Sequence, residues 1–215
     1  MARVEPYCGA VDLRDVFSAW CISLSFVFTL PQAWRVVRRN TVEGISVLGQ
    51  LQGFSGATMW VVYGTVASTP LVVAGNGMVI VGVGTVVIQM VRLAVIPARL
   101  PAVLFIGVFA FAATTSAVSL TTLGAVAAVV GSTGIIPQVY RAAKTPHLKG
   151  VSVSTNALLA VMAVSWGLYG LMIDDLLVAS QNVILAPAAA YIAMRAAWSH
   201  RRYGNVIEDS VDPAR

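Results

Sequence analysis

Leu30-Pro31-Gln32 returns as Ile136-Pro137-Gln138, and the text that follows returns with it at an unbroken spacing of 106 residues, Pro31 to Pro137. Arg35 pairs with Arg141, Gly44 with Gly150, Ser46 with Ser152, Trp60 with Trp166, Tyr63 with Tyr169, Gly64 with Gly170 and Asn76 with Asn182. Trp and Asn are among the residues least expected to coincide by accident in a chain rich in Ala and Val. The chain is therefore an internal duplication.

Working outward, composition says where that duplication lives. With 58% hydrophobic and 11% charged residues over 215 positions, there is too little polar surface to cover a soluble globule. The chain reads as an integral membrane protein. A span needs about 20 apolar residues, and seven uncharged windows qualify: roughly Val16–Trp34, Ser46–Val66, Leu71–Val91, Leu100–Leu120, Leu123–Tyr140, Val151–Ile173 and Leu176–Met194. The connections are short and leave no room for a soluble domain. The start carries Glu5, Asp12 and Asp15 in place of a basic region, with no small-residue cleavage site after the first window, so a cleaved signal peptide is not expected. Cys8 and Cys21 lack metal-ligand spacing, and Cys21 reads as small apolar filler. Twelve Arg against two Lys fits a GC-rich bacterial genome.

Sidedness follows from basic residues in short loops, which stay cytoplasmic. Arg35, Arg38 and Arg39 follow the first window, Arg92 and Arg99 the third, Arg141, Lys144 and Lys149 the fifth, and Arg195, Arg201 and Arg202 the seventh. The connections Ala67–Pro70, Thr121–Thr122 and Asp174–Asp175 hold no basic residue. The alternation puts the N-terminus outside and the C-terminus in the cytoplasm, in a plasma membrane. The net charge of +5 is then topology signal and anionic-lipid contact, not a nucleic-acid surface.

An odd number of spans per repeat would invert the second copy, yet both copies place their basic loop after their first helix. The copies are parallel, so one extra span must separate them, and Leu100–Leu120 supplies it. The expected fold is an all-α membrane protein of seven transmembrane helices. Two parallel three-helix bundles are joined by an inversion linker helix in a 3+1+3 plan. The first repeat covers residues 16–95, the linker 96–121, the second repeat 122–200 and a cytosolic tail 201–215.

Pro31 and Pro137 remove a backbone donor from their helices, so a kink or hinge is expected at each. Prolines often merely bend membrane helices; their symmetric placement, with Gln32 and Gln138 beside them, favours hinges. Trp60 and Tyr63, like Trp166 and Tyr169, are three apart and share a helix face. Membrane-interface belts also gather Trp and Tyr, and for the tyrosines alone that reading would win. Asn76 and Asn182 shift the balance, because each stands well inside the next helix, where an amide must face protein or a water-filled cavity. Amides can also glue helices together. The short turn after the second helix, however, brings the Trp and Asn of one repeat to comparable depths. Two indoles and two carboxamides with no charge suit a small, neutral, polyhydroxyl solute: rings stack on sugar C–H faces while amides donate to and accept from hydroxyls. Gln89, at the basic end of the third window, is expected to matter far less.

The paired Leu-Pro-Gln and Ile-Pro-Gln motifs, the basic loops after them, and Trp-x-x-Tyr-Gly with Asn in the following helix resemble the PQ-loop family. More narrowly, residues 16–200 resemble the SWEET and SemiSWEET sugar transporters. The resemblance implies facilitated, uncoupled movement of mono- or disaccharides by alternating access. It places Trp60, Asn76, Trp166 and Asn182 in the substrate pocket, Tyr63 and Tyr169 at the outer gate, and Pro31, Gln32, Pro137 and Gln138 at the hinges. Unlike eukaryotic SWEETs, neither repeat has a further proline in its second helix, so the chain looks like two fused SemiSWEET-like units. Asp174 and Asp175 face Ser68 and Thr69 in the repeat alignment, so any outer salt bridge is asymmetric.

Two rivals remain. A proton-coupled PQ-loop exporter of amino acids needs a carboxylate inside a span, and none of the nine acidic residues lies in one. A seven-helix receptor or scaffold would call for a charged pocket or a large loop. A retinal protein needs a lysine in the last helix, but Lys144 and Lys149 lie in a loop. No enzyme is expected: there is no intramembrane carboxylate pair or metal cluster, and His147 and His200 are cytosolic. The expected partners are a small sugar and the lipid bilayer, with no cofactor and no nucleic acid; homo-oligomerisation is compatible with this reading.

Overall fold

The computed structural model describes residues 13–43, 45–148 and 151–203, and every regular element among them is helical. Cys8, Gly44, Lys149, Gly150 and the tail from 204 to 215 lie outside the described residues. The first repeat is α1 (Leu13–Arg39), α2 (Val47–Val66) and α3 (Pro70–Arg92), followed by α4 (Arg99–Val118). The second is α5 (Leu120–Thr133), α6 (Ile136–Lys144), α7 (Val153–Met172) and α8 (Leu176–Tyr203). The fifth window thus starts earlier than expected and is broken at Gly134-Ile135, although Leu120–Lys144 still makes one 25-residue span. Among the described residues, six such spans are long and apolar enough to cross a membrane. The seventh, α2, is uncharged but more polar because it carries Gln50 and Gln52, and it packs among α3, α4 and α5.

The duplication extends to local backbone chemistry. Ser46 and Ser152 cap α2 and α7, each hydroxyl accepting the amide three residues on, Gly49 at 3.2 Å and Thr155 at 3.1 Å, worth about 1 kcal/mol per cap. At their other ends α2 and α7 stop in matching tight turns. Ser68 (φ 54°) and Asp174 (φ 56°) adopt the left-handed conformation. The next amides, of Thr69 and Asp175, reach back to the carbonyls of Gly64 and Gly170 at 2.8 Å. This arrangement satisfies the terminal carbonyls and reverses the chain within three residues.

Packing gives the two bundles the same internal order. α3 lies against both α1 and α2, and α8 against both α5–α6 and α7. Between bundles, α2 packs on α5 and α1 on α7, contacts that exchange when the repeats are exchanged. α4 rests on α2 and α5, burying Ala112 and exposing Val103, Ile106 and Val118, as a lipid-facing linker would.

The cores divide along the helices. At the end bearing the two tight turns, one core draws on both repeats, with Cys21, Met59, Trp60, Tyr63, Leu123, Ala127 and Tyr169. At the basic end each bundle keeps its own: Ala33, Val36, Val86 and Met90 in the first, Ile135, Ala142, Ile192 and Ala196 in the second. Gln89 stands at the basic end, buried, and its amide donates to Oδ1 of Asn40, tying α3 to the end of α1.

Candidate functional site

Helical spacing puts Trp60 and Tyr63 on one face of α2 with ring centroids 5.2 Å apart at 80°, and Trp166 and Tyr169 on one face of α7 at 5.5 Å and 87°. Both pairs are edge-to-face, the arrangement favoured by the ring quadrupoles. From these faces each indole crosses to the other bundle. Trp60 Nε1 donates to Oε1 of Gln181 on α8 at 3.0 Å. Trp166 Nε1 donates to Oγ of Ser25 on α1 at 3.1 Å, and its ring lies over Gly75 on α3, where a Cβ would overlap Cζ2 and stand 2.7 Å from Cη2.

Gly75 and Gln181 are the residues immediately before Asn76 and Asn182. Each indole therefore touches the neighbour of the other repeat's amide. Within the second repeat, Gly167 lies against Asn182, a Cβ there standing 3.4 Å from the Asn182 Cβ. The indoles of Trp60 and Trp166 thus each reach across to the helix that carries the other repeat's Asn, α8 and α3 respectively.

The two amides are held identically. Asn76 Nδ2 donates to the Val72 carbonyl at 3.0 Å and Asn182 Nδ2 to the Val178 carbonyl at 2.9 Å. A carbonyl only accepts, so this contact fixes the nitrogen inward and leaves Oδ1 as the free acceptor. Among the described residues, Gln50 Oε1 is the sole buried side-chain oxygen or nitrogen without a partner. Neither Asn Oδ1 is such an atom, so both unbonded acceptors keep some exposure.

The tyrosines are treated differently. Tyr63 packs on Gly124, whose Cβ would lie 2.8 Å from Cε2, and its hydroxyl donates to Oδ2 of Asp175 at 2.8 Å. Oδ1 of Asp175 accepts the amides of Leu177 and Val178 at 3.0 and 3.1 Å, so one carboxylate caps α8 and anchors α2. Tyr169 lies beside Ser18 of α1, and Thr69, the counterpart of Asp175, bonds its hydroxyl to Gly64 of its own turn at 3.3 Å.

The four hinge candidates lie apart from this cluster. Pro31, Pro137 and Gln138 are exposed and Gln32 is half-buried. α1 runs unbroken through Pro31, while the helix before Pro137 is interrupted. Gln52 of α2 meets that break, Nε2 donating to the Val130 carbonyl and to Thr133 Oγ1, both at 2.9 Å.

Gln181, Ser25 and Gln52 were missed because the search for matching residues passes over positions where the repeats differ: Gly75 against Gln181, Ser25 against Gly131, Gln52 against Leu158. Two grooves, of about 430 Å³ beside Val161, Val164 and Pro187 and about 400 Å³ beside Thr122, Val126 and Val129, hold no residue of the cluster.

Fold and site together define a multi-pass membrane protein of two parallel three-helix bundles joined by a linker helix. Residues 13–73 match the model of the PQ loop repeat. The structure of a eukaryotic SWEET transporter, solved at 3.7 Å, superposes with a TM-score of 0.66 at 16% identity, covering 88% of this chain and all of the other. No curated protein matches the chain in sequence. The chain thus carries a match to the PQ loop repeat over residues 13–73 and has the fold of that SWEET transporter.

Proposed function

We propose that this protein is a transporter carrying small sugars, mono- or disaccharides, down their gradient by alternating access between its two bundles. The observation that carries the reading is the crossed cluster at the bundle interface: two indole faces and two amide oxygens, uncharged and arranged with twofold symmetry. Both indole N–H groups are bonded to protein and Trp60 is buried in the shared core, so the ring faces would meet a solute once the bundles part, as stacking on a sugar requires. The shared core at one end and separate cores at the other suit a state closed at the turn end, with Tyr63 and Tyr169 as gate. The basic residues support an outward-facing turn end, which would leave the Pro-Gln segments as hinges on the cytoplasmic side. Asp175, the carboxylate bonded across the interface, stands at a helix end and not within a span, which favours uncoupled transport over a proton-coupled exporter.

Uptake of radiolabelled sugars into proteoliposomes, with amino acids as controls and with or without an imposed pH difference, tests this. Sugar should equilibrate without accumulating, whatever the proton gradient; amino-acid uptake driven by that gradient would establish the exporter instead. Trp60→Ala, Trp166→Ala, Asn76→Ala and Asn182→Ala should each lower flux about tenfold or more, since lost stacking and stranded hydroxyls cost roughly 1 to 3 kcal/mol and 1.4 kcal/mol is a factor of ten. If both Asn variants carry sugar normally at wild-type expression, the amides are helix glue and the pocket is elsewhere.

A further inference from the structure

The duplication makes Gln181 conspicuous, because the residues on either side of the site repeat and this one does not. Its counterpart is Gly75, and each is fitted to a different filling. Over Gly75 the space is taken by the Trp166 ring. Gln181 reaches over Gly131, where a Cβ would overlap its Oε1, and the counterpart of Gly131 is Ser25, the acceptor for Trp166. Each small residue therefore stands where the other repeat has a polar side chain, and the exchange keeps both indoles anchored while moving a carboxamide to one side only.

Chemistry fixes which way that carboxamide points. An indole N–H can only donate, so the Gln181 atom facing Trp60 Nε1 at 3.0 Å is the oxygen. Nε2 then points away from Trp60 and donates to nothing among the described residues. Since Gln50 Oε1 is the sole buried atom left unpartnered there, Nε2 keeps some exposure, on the residue next to Asn182 in the chain. Asn76 and Asn182 have turned their nitrogens to the backbone and offer oxygens. Each Asn amide has committed one of its two N–H groups to a backbone carbonyl, so Gln181 is the one carboxamide of the cluster with both N–H donors unbonded.

We propose that Gln181 is the specificity-determining residue of this site, donating to one hydroxyl or ring oxygen of the sugar and so holding the sugar in a single orientation. A sugar turned by half a revolution about the pseudo-twofold axis meets the Trp166 ring where it had met an amide. The inference rests on the sugar-transport reading and adds to it an orientation and a donor.

The test measures competition by glucose and its monodeoxy analogues against labelled glucose in proteoliposomes, for wild type, Gln181→Leu and Gln181→Glu. In wild type, one analogue, lacking the hydroxyl that meets Gln181, should compete about tenfold less well than glucose. Gln181→Leu should weaken glucose about tenfold and erase discrimination at that one position while keeping it at the others. Gln181→Glu retains an oxygen for Trp60 but replaces the N–H donors, so it should lose the same discrimination. Recovery of wild-type selectivity in Gln181→Glu would mean that Gln181 serves only to anchor Trp60, and the proposal fails. An equal loss for every analogue in Gln181→Leu also overturns it. Wild type that carries no sugar brings down the transport reading itself, a result visible before any variant is made.

Discussion

The seams α2–α5 and α1–α7 are related by the internal repeat, yet they are built differently. In the first, bonding reaches deep toward the basic end. Gly56 approaches Gly131, at the level of its counterpart Ser25, a Cβ standing 3.7 Å from its Cα, and Gln52 bonds to Val130 and, further toward the basic end, to Thr133. In the second, the hydrogen bonds Trp20 to Ser165 at 3.1 Å and Trp166 to Ser25 at 3.1 Å lie toward the turn end. The helix of the first seam is broken before its Pro-Gln and the helix of the second is not. A repeat thus dictates which helices meet. The few positions where the copies diverge decide how firmly each pair is held, and they single out α1–α7 as the seam with more freedom to part at the basic end.

The sharpest way to break the comparison is at Gly75, the position that lets the Trp166 side of the site differ from the Trp60 side. Gly75→Ala puts a methyl into the Trp166 ring. Because helix backbone stands behind Gly75, the ring must move, at a cost of about 1 to 3 kcal/mol for overpacking. Flux should fall tenfold or more, with Trp166 fluorescence shifted. Gly77→Ala, two residues on and with nothing within 4 Å, is the matched control and should transport normally. Normal flux in Gly75→Ala would mean that Trp166 need not lie over α3.

The architecture was legible because it rests on identities. Pro31 with Pro137, Trp60 with Trp166 and Asn76 with Asn182 carry the repeat, and the basic loops carry its parallel sense. The reversals that fold α3 back on α2 and α8 back on α7 were legible too, as they follow from short turns. What periodicity could not supply is the register between bundles, which depends on how closely two helix backbones approach. That register decides that Trp60 bonds to Gln181, and it rests on glycines such as Gly131 whose significance appears only once the facing side chain is known. The break in the fifth span was half legible. Gly131 and Gly134 weaken the helix before Pro137, whereas α1 has Ser25 and Phe28 there, but the bracing by Gln52 comes from another helix.

At the turn end the comparison sharpens on the tyrosines. Tyr63→Phe removes the bond to Asp175 and leaves the carboxylate its two backbone donors, so the loss should be near the 1 kcal/mol of an ordinary hydrogen bond. For a chain of this size that lowers the melting temperature by about 2 to 4 °C. Tyr169→Phe, with no carboxylate partner, should cost less. Thermal unfolding in detergent measures both, and equal losses would erase the asymmetry assigned to this end.

The smallest effect, and the one aimed at the seams themselves, is at Gln52. Gln52→Leu installs the residue that the second repeat has at position 158, so it makes the α2–α5 seam resemble α1–α7. The variant gives up two hydrogen bonds, and the gain from an added apolar side chain offsets part of the loss, leaving a destabilisation of about 1 kcal/mol or less. The effect should be local. Amide hydrogen exchange should quicken over residues 131–136, where the helix is interrupted, and stay unchanged over residues 25–30 of α1. The reciprocal change, Leu158→Gln, should not tighten the other seam. The positions that would receive its amide, Leu24 and Val27, carry no hydroxyl and stand in an unbroken helix, so a new carboxamide would be desolvated without gaining a partner. Exchange that quickens in α1 as much as in α5–α6, or a Leu158→Gln variant more stable than wild type, would show that the two seams are interchangeable and that the broken helix owes nothing to Gln52.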